Sequence, residues 1–371
     1  MAQQRLIKQA LACFDQGQFS EAQALIDQAS QDKTLQLQAS TWYYKGVVYE
    51  QLMRKNIALD IAGQYLEEAL KAYQKTLTLT PEANQYHSFA QLNKQELWAY
   101  YLNRGVRYYK AEAFDRAIEA FAICKRIQPD DAHALLYTAI AAHQEEQYDL
   151  ALAQYKAYLQ LEKGKPAVYC GLASITANQL HKPEQAKSIL DQALQAYPWD
   201  VGLLEAQHQL LLALKELGAR KQQLKEQVTA SPLNPLPHFQ LGYFYEQANQ
   251  LEVAATYYQQ AVNLALQELA PICRLGIVYY NQAANIINEA VAMPDHDFQQ
   301  TGEELTNQAE QYFRKALHSF KQARKLDRGN LFILKQLHVI YTRLHMPEKA
   351  QIIGDILKRK KGGFTVLQEA S

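Results

Sequence analysis

The sequence contains one local cluster of metal-ligand chemistry, Asp295, His296 and Asp297, which directly follows Met293-Pro294. Two carboxylates and an imidazole are able to hold a transition-metal ion. The same residues also suit a solvated turn in which Asp295 or Asp297 caps the next helix. We favour the turn, and we predict no metal ion, no cofactor and no catalytic residue in this chain.

Common catalytic motifs are missing from the sequence: it has no Gly-rich phosphate loop, HExxH, Gly-x-Ser-x-Gly or Cys-x-x-Cys. The ten histidines are scattered. The cysteines are Cys13, Cys124, Cys170 and Cys273. Their wide spacing indicates neither zinc nor a redox pair, and we predict buried, inert thiols. We therefore predict that the protein is not an enzyme.

The overall charge limits the classes of partner. Lys plus Arg and Asp plus Glu both number 38, so no global field attracts nucleic acid or an anionic membrane. No apolar run approaches the roughly 20 residues that span a bilayer, which predicts a soluble chain without membrane insertion. The expected partner is a protein or peptide, and the expected state is a monomer or weak homodimer.

A repeating pattern of small and bulky residues runs along the chain. In residues 235–268, Leu241, Tyr245, Ala254, Tyr258 and Ala261 follow the three-and-four spacing of two packed helices. We call the place of Ala254 the small-residue position. Its occupants are Ala22, Ala69, Ala117, Ala151, Ala186, Arg220, Ala254, Ala316 and Ala350. From 117 to 254 the steps are 34, 35, 34 and 34 residues, which predicts a stack of helix pairs.

This pattern closely resembles the tetratricopeptide repeat. Residues 101–129 match it well, at Tyr101, Gly105, Tyr108, Ala117, Phe121 and Pro129. The resemblance implies an all-α, right-handed superhelical solenoid of about nine helix-turn-helix units over residues 3–361, with a flexible tail at 362–371. The weakest unit is 201–234, where His208 replaces a glycine and Arg220 an alanine.

Three insertions interrupt the period. We expect the first, near 54–64, to lengthen the turn of the second unit, and the second to fall within 82–96. The third, at 281–308, predicts an elongated helical hairpin in the eighth unit, with each arm about 14 residues, or some 20 Å, longer.

The long first turn and the segments YYNQAANIINEA and AEQYFRKALHSFKQARKLD resemble Bacteroidetes-type envelope repeat proteins. That resemblance implies a periplasmic or envelope location if a leader was removed, and otherwise we expect a cytoplasmic protein.

Repeat phase also predicts a partner-binding face. First helices line the concave wall of such solenoids. The inward residues are Tyr44, Asn103, Tyr109, Tyr137, His143, Asn178, Gln240, Tyr243, Arg274 and Tyr280. Tyrosines suit packing and recognition alike. Asparagines suit a peptide backbone, and Arg274 suits a carboxylate.

The family's chaperone-tail clamp is not reproduced, because Tyr43 and Val47 occupy the places of its lysine and asparagine. We predict a non-enzymatic scaffold that holds a peptide or helix in the concave groove. The alternative is a ligand-controlled sensor that closes around a short peptide.

Overall fold

The regular structure is entirely helical in the part of the chain that is described. The computed structural model describes residues 2–55, 59–161 and 164–369, with the side chains of 2–4, 59–61, 295, 297 and 361–369 excepted. Within these ranges there are eighteen α-helices, one 3-10 turn at Leu35–Leu37 and no strand. The all-α prediction is therefore confirmed.

The chain forms two compact bodies, an N-terminal body at Met1–Gly164 and a C-terminal body at Lys165–Ser371. In the N-terminal body consecutive helices pack in pairs, and the hydrophobic clusters lie between them. Its helices are α1 (Ala2–Asp15), α2 (Phe19–Gln31), α3 (Ala39–Lys55), α4 (Leu59–Leu79), α5 (Gln85–Lys110), α6 (Phe114–Ile127), α7 (Ala132–Gln144) and α8 (Tyr148–Leu161).

The C-terminal body continues the same arrangement around one hydrophobic core that extends from Ala173 to Ile353. Its helices are α9 (Pro166–Asn178), α10 (Pro183–Ala196), α11 (Val201–Ala213), α12 (Leu217–Ala230), α13 (Pro235–Gln247), α14 (Leu251–Leu264), α15 (Leu269–Ala292), α16 (Asp295–Leu326), α17 (Leu331–Arg343) and α18 (Pro347–Glu369). A single solenoid over 3–361 stays a prediction. The structure describes each body by itself.

The two helices of a pair approach closely at the repeated glycine and alanine. Every alanine in the small-residue position is buried. On the first helix, a Cβ built on Gly105 would stand 2.4 Å from the Phe121 ring, and one on Gly242 would stand 2.6 Å from the Tyr258 ring. Real carbon atoms do not approach so closely, so glycine is what allows these aromatic side chains to pack between the helices.

The turns within the pairs also repeat. Each of six turns holds one non-glycine residue in the left-handed region, with φ between 52° and 60°. These residues are Glu112, Glu146, His181, Lys215, Asn249 and His345. From 112 to 249 their steps are 34, 35, 34 and 34, the same as those of the small-residue position. One turn geometry thus recurs with the repeat.

Side-chain caps begin several of the first helices. An oxygen of Asn84, Asp131, Asp200, Asn234 or Asn330 accepts the backbone N–H two or three residues later. These caps satisfy donors that have no partner within the helix.

The insertions lengthen helices. We expected a long turn near 54–64, but α3 runs to Lys55 and α4 begins at Leu59, so most of this segment is helical. The prediction of a long turn is wrong because the apolar period continues: Ala62 and Tyr65 pack against the core. Residues 56–58 lie outside the described part. The second insertion lies largely in α5, which has 26 residues.

The eighth pair is the longest: α15 has 24 residues and α16 has 32, against 13 and 14 in α13 and α14.

The last helix is longer than the sequence predicted. It continues through Gly362 and Gly363 to Glu369. We expected the helix to end before these glycines. Glycine lowers helix propensity by about 1 kcal/mol but keeps its backbone donor, so it need not end a helix. The flexibility of 362–371 stays a prediction.

Candidate partner-binding surfaces

Four aromatic side chains of α3 and α5 form a contiguous cluster, which we call the ring cluster: Tyr43, Tyr44, Tyr86 and Phe89. Neighbouring ring centroids in it lie 5.2–6.4 Å apart. Phe89 is 43% exposed, and Leu92, one turn further along α5, is 51% exposed. The three tyrosines are half-buried. The result is a partly solvated aromatic surface on two adjacent first helices.

A buried polar network lies next to the ring cluster, where the rings of Tyr43 and Tyr73 are 6.4 Å apart. The Tyr73 hydroxyl donates to Glu50 Oε2 at 2.7 Å and accepts from Asn93 Nδ2 at 2.9 Å. Glu50 Oε1 also accepts a hydrogen bond from Arg54 Nη2 at 2.7 Å. Burial, followed by the nearby Glu50 carboxylate, raises the pKa of Tyr73 well above its usual value. These contacts fix α3, α4 and α5 relative to one another, so the rings are held on a rigid base.

The other predicted residues of the N-terminal body have different described neighbours from those of the ring cluster. Tyr109 and Tyr137 are half-buried and pack on the hydrophobic cluster that contains Phe121. Tyr137 stacks on Phe121 with centroids 5.5 Å apart. His143 is half-buried, and burial lowers its pKa. Asn103 is exposed on α5. Their partner contacts stay predictions.

Two predicted residues of the C-terminal body are buried. Tyr243 is 2% exposed and Gln240 is 9% exposed. Both side chains pack within the fold, and their predicted partner contacts stay predictions. The cause lies in their neighbours: the His208 ring stands 6.2 Å from that of Tyr243, and Arg220 donates to Gln240.

Arg274 has a carboxylate partner inside the chain. Its Nη2 lies 2.6 Å from Glu246 Oε1 and its Nε donates to Oε2 at 3.0 Å. The guanidinium also lies over the Tyr243 ring, and the buried Tyr258 hydroxyl donates to Glu246 at 2.7 Å. This network binds α13, α14 and α15 together. Arg274 thus forms an ion pair within the chain, and its predicted contact with a partner carboxylate stays a prediction.

Tyr280 and Asn178 differ in their surroundings. Tyr280 is half-buried, and its ring lies 5.4 Å from that of Phe313, which ties α15 to α16. Asn178 is exposed at the end of α9, beside a pocket of about 330 Å³ that also contains Cys170 and Leu210. Their predicted role in partner binding stays open to test.

Nothing in the described residues groups into a metal site, and none of their helices combines the length and hydropathy that would cross a bilayer. Of the predicted Asp295-His296-Asp297 cluster, both aspartate side chains lie outside the described part. The cysteines are free thiols. Burial raises the pKa of Cys124 to about 12 and those of Cys170 and Cys273 to about 11. These raised pKa values favour the protonated thiol at neutral pH. Of the four cysteines expected to be buried, Cys124 is buried and the other three are partly buried.

Repeat phase did not predict Tyr86 and Phe89 as partner-binding residues. Both lie in the insertion at 82–96, which has no counterpart in the repeat pattern and so received no position by phase. A signal was nonetheless present, because two aromatics at a spacing of three residues share one helix face.

Comparison with known proteins supports the repeat architecture. The family model described as tetratricopeptide repeat matches residues 7–84 and 102–166. No curated protein matches the sequence. A Parabacteroides merdae ATCC 43184 tetratricopeptide-repeat protein is 16% identical, with 74% of this chain and 98% of that chain covered at a TM-score of 0.30.

Two further solved structures are similar at the same level. A repeat protein from Bacteroides fragilis NCTC 9343 is 14% identical, with 66% and 98% of the two chains covered and a TM-score of 0.27. The TPR domain of P58(IPK) is 12% identical, with 94% and 100% covered and a TM-score of 0.32. Residues 7–84 and 102–166 therefore match the tetratricopeptide repeat, and helix pairs recur along the rest of the described chain.

Proposed function

We propose that this protein is a non-enzymatic scaffold that binds a partner peptide or helix, and that the ring cluster is its principal contact in the N-terminal body. Tetratricopeptide repeats generally mediate contacts between proteins, and stacked repeats offer extended surfaces for them. The observation that carries the proposal is the partly exposed cluster of four rings on a rigid polar base. Aromatic side chains of this kind dominate the binding energy of many protein interfaces.

The chemistry of the ring cluster favours a partner segment with apolar or aromatic side chains. Tyrosines keep a polar hydroxyl beside an apolar ring, so they bind such segments without a large exposed hydrophobic patch. The zero formal charge of the chain gives no long-range attraction to nucleic acid. A peptide or amphipathic helix therefore fits this surface best.

A selection from a displayed random-peptide library tests the proposal. Peptides that bind the wild-type protein should lose affinity for Phe89→Ala and Tyr44→Ala by about tenfold or more each, as for a truncated aromatic contact. Phe332→Ala is the matched control, since Phe332 is 44% exposed and Phe89 43%. Selected peptides that bind all three variants like the wild type would contradict the assignment.

A further inference from the structure

The sixth helix pair, α11 and α12, departs from the others at both packing positions. Arg220 occupies the small-residue position and His208 the glycine position. The two helices contact each other far less extensively than those of any other pair. His208 lies instead against Tyr243 and Phe244, with ring centroids 6.2 and 5.7 Å away. The wider separation of α11 and α12 leaves a cleft bordered by α10, α11, α12 and α13.

The cleft is lined largely by polar side chains. It contains two cavities of about 430 and 500 Å³, and Asp191 and Arg220 line both of them. The smaller cavity is also lined by Gln207, Leu211 and Gln223. Volumes of this size accommodate small organic molecules. An arginine at the small-residue position thus lines a recess with charged side chains inside the C-terminal body.

The Arg220 side chain, which lines this recess, has one N–H group without a hydrogen-bond partner among the described residues. Its Nη1 donates to Gln223 Oε1 at 2.8 Å and its Nη2 to Gln240 Oε1 at 3.2 Å. The Nε–H is buried and donates to no described group, and no described carboxylate lies within 4.0 Å of the guanidinium. Burial lowers the pKa of Arg220, while Asp191 acts in the opposite direction. An arginine stays protonated at neutral pH.

The Gln207 side chain, which lines the smaller cavity, has an amide oxygen without a hydrogen-bond partner among the described residues. The residue is 1% exposed, and its Nε2 donates to Asp191 Oδ1 at 2.7 Å. Its Oε1 is buried and accepts no hydrogen bond from the described residues. Buried polar atoms without a partner are uncommon in folded proteins. Arg220, Gln207 and Asp191 thus all line one cavity, and the first two each have a buried polar atom without a described partner.

We propose that this cleft binds a small zwitterion of the free α-amino acid class. The ligand carboxylate would accept from the Arg220 Nε–H, and its ammonium group would donate to Gln207 Oε1 and to Asp191. Such a ligand supplies both missing partners and carries no net charge, which suits a recess with one guanidinium and one carboxylate. Lys187 and Glu216 also line this cavity, and their ion pair adds no net charge to it.

Titration with a panel of common L-α-amino acids tests the proposal on the full chain. The readouts are thermal unfolding and the NMR resonance of the Arg220 Nε–H. At least one amino acid should raise the melting temperature by a few degrees and shift that resonance. Arg220→Ala restores the usual repeat residue and should fold, yet its affinity for that amino acid should fall by about 10- to 100-fold.

Further variants and probes separate binding in this cleft from nonspecific binding elsewhere on the protein. Gln207→Leu should also weaken binding, whereas Phe89→Ala, in the ring cluster, should leave it unchanged. Acetate and methylamine, which each carry half of the zwitterion, should each bind much more weakly than the amino acid. The proposal is overturned if no amino acid produces a response, if Arg220→Ala responds like the wild type, or if acetate alone reproduces the full effect.

Discussion

At the residue scale, Arg274, Glu246 and Tyr258 form a polar network that joins three helices. Glu246 is surrounded by two donors from neighbouring helices, and its side chain is only 8% exposed. Removing Arg274 would leave this buried carboxylate without its cationic partner, with only the Tyr258 hydroxyl donating to it. The network is therefore expected to contribute to stability.

Arg274→Ala should lower the free energy of unfolding by about 3 kcal/mol, because it leaves the Glu246 carboxylate buried and unpaired. Urea denaturation measures the loss. Arg314→Ala is the control, since Arg314 and Glu310 form an exposed pair on one helix. That pair should contribute less than about 1 kcal/mol. Equal losses in the two variants would contradict the structural role of Arg274.

The buried tyrosines predict a loss of stability at alkaline pH. Burial, with a smaller contribution from Glu205, raises the pKa of Tyr243 from 10.0 to about 12. Above pH 10 the unfolded chain releases a proton that the folded chain keeps, so this contribution to stability is present below pH 10 and is lost up to about pH 12. The expected slope is at most about 1.4 kcal/mol per pH unit.

Tyr243→Phe removes that proton and should flatten this part of the pH profile, as measured by urea denaturation between pH 9 and pH 12. Tyr101, whose pKa burial raises to about 12 as well, remains in the variant, so some slope should persist. A variant profile that parallels the wild type would show that Tyr243 ionises in the folded protein as it does in the unfolded chain.

At the element scale, the glycine position governs how closely the helices of a pair approach. Gly105→Ala should destabilise the protein by about 1–2 kcal/mol, because the added Cβ would overlap the Phe121 ring. Gly63→Ala, in α4, has nothing within 4 Å of the new Cβ and should stabilise by up to about 1 kcal/mol. Chemical denaturation of the two variants should therefore give opposite signs, and a stabilising Gly105→Ala would contradict the close approach.

The recurring left-handed turn residue is a second property of the helix pair. Glu112→Gly should stabilise the protein by about 1 kcal/mol, because glycine adopts a φ of 58° without the steric cost that glutamate incurs. Gly17 adopts a φ of 76° in the first pair, so Gly17→Ala should destabilise. Calorimetry that finds a lower melting temperature for Glu112→Gly would argue against strain in this turn.

Sequence spacing predicted the helix pairs because small residues are required wherever two helices approach, and Ala117 and Ala151 are indeed buried. It does not predict which of the expected partner-binding residues are buried. Repeat phase gives the side of a helix on which Tyr243 lies, but the reach of neighbouring side chains decides its burial. The long turn expected near 54–64 was wrong for a related reason: the family pattern supplies a turn length, whereas Ala62 and Tyr65 lie in helix α4.

At the scale of the whole molecule, two compact bodies present two different surfaces. The ring cluster lies in the N-terminal body, and the Arg220 cleft lies in the C-terminal body. Neither requires the other, so their proposed roles are separable by single substitutions. The described surface chemistry thus favours a protein that holds a partner segment, with a small-ligand site as an addition.

Site-specific photo-crosslinking tests the central claim most directly. A photoreactive amino acid is placed at Leu92, beside the ring cluster, or at Leu212 in the C-terminal body. These leucines are 51% and 53% exposed and so form a matched pair. A selected peptide should crosslink at Leu92 and not at Leu212. Crosslinking at Leu212 alone, or equally at both positions, would contradict a partner surface at the ring cluster.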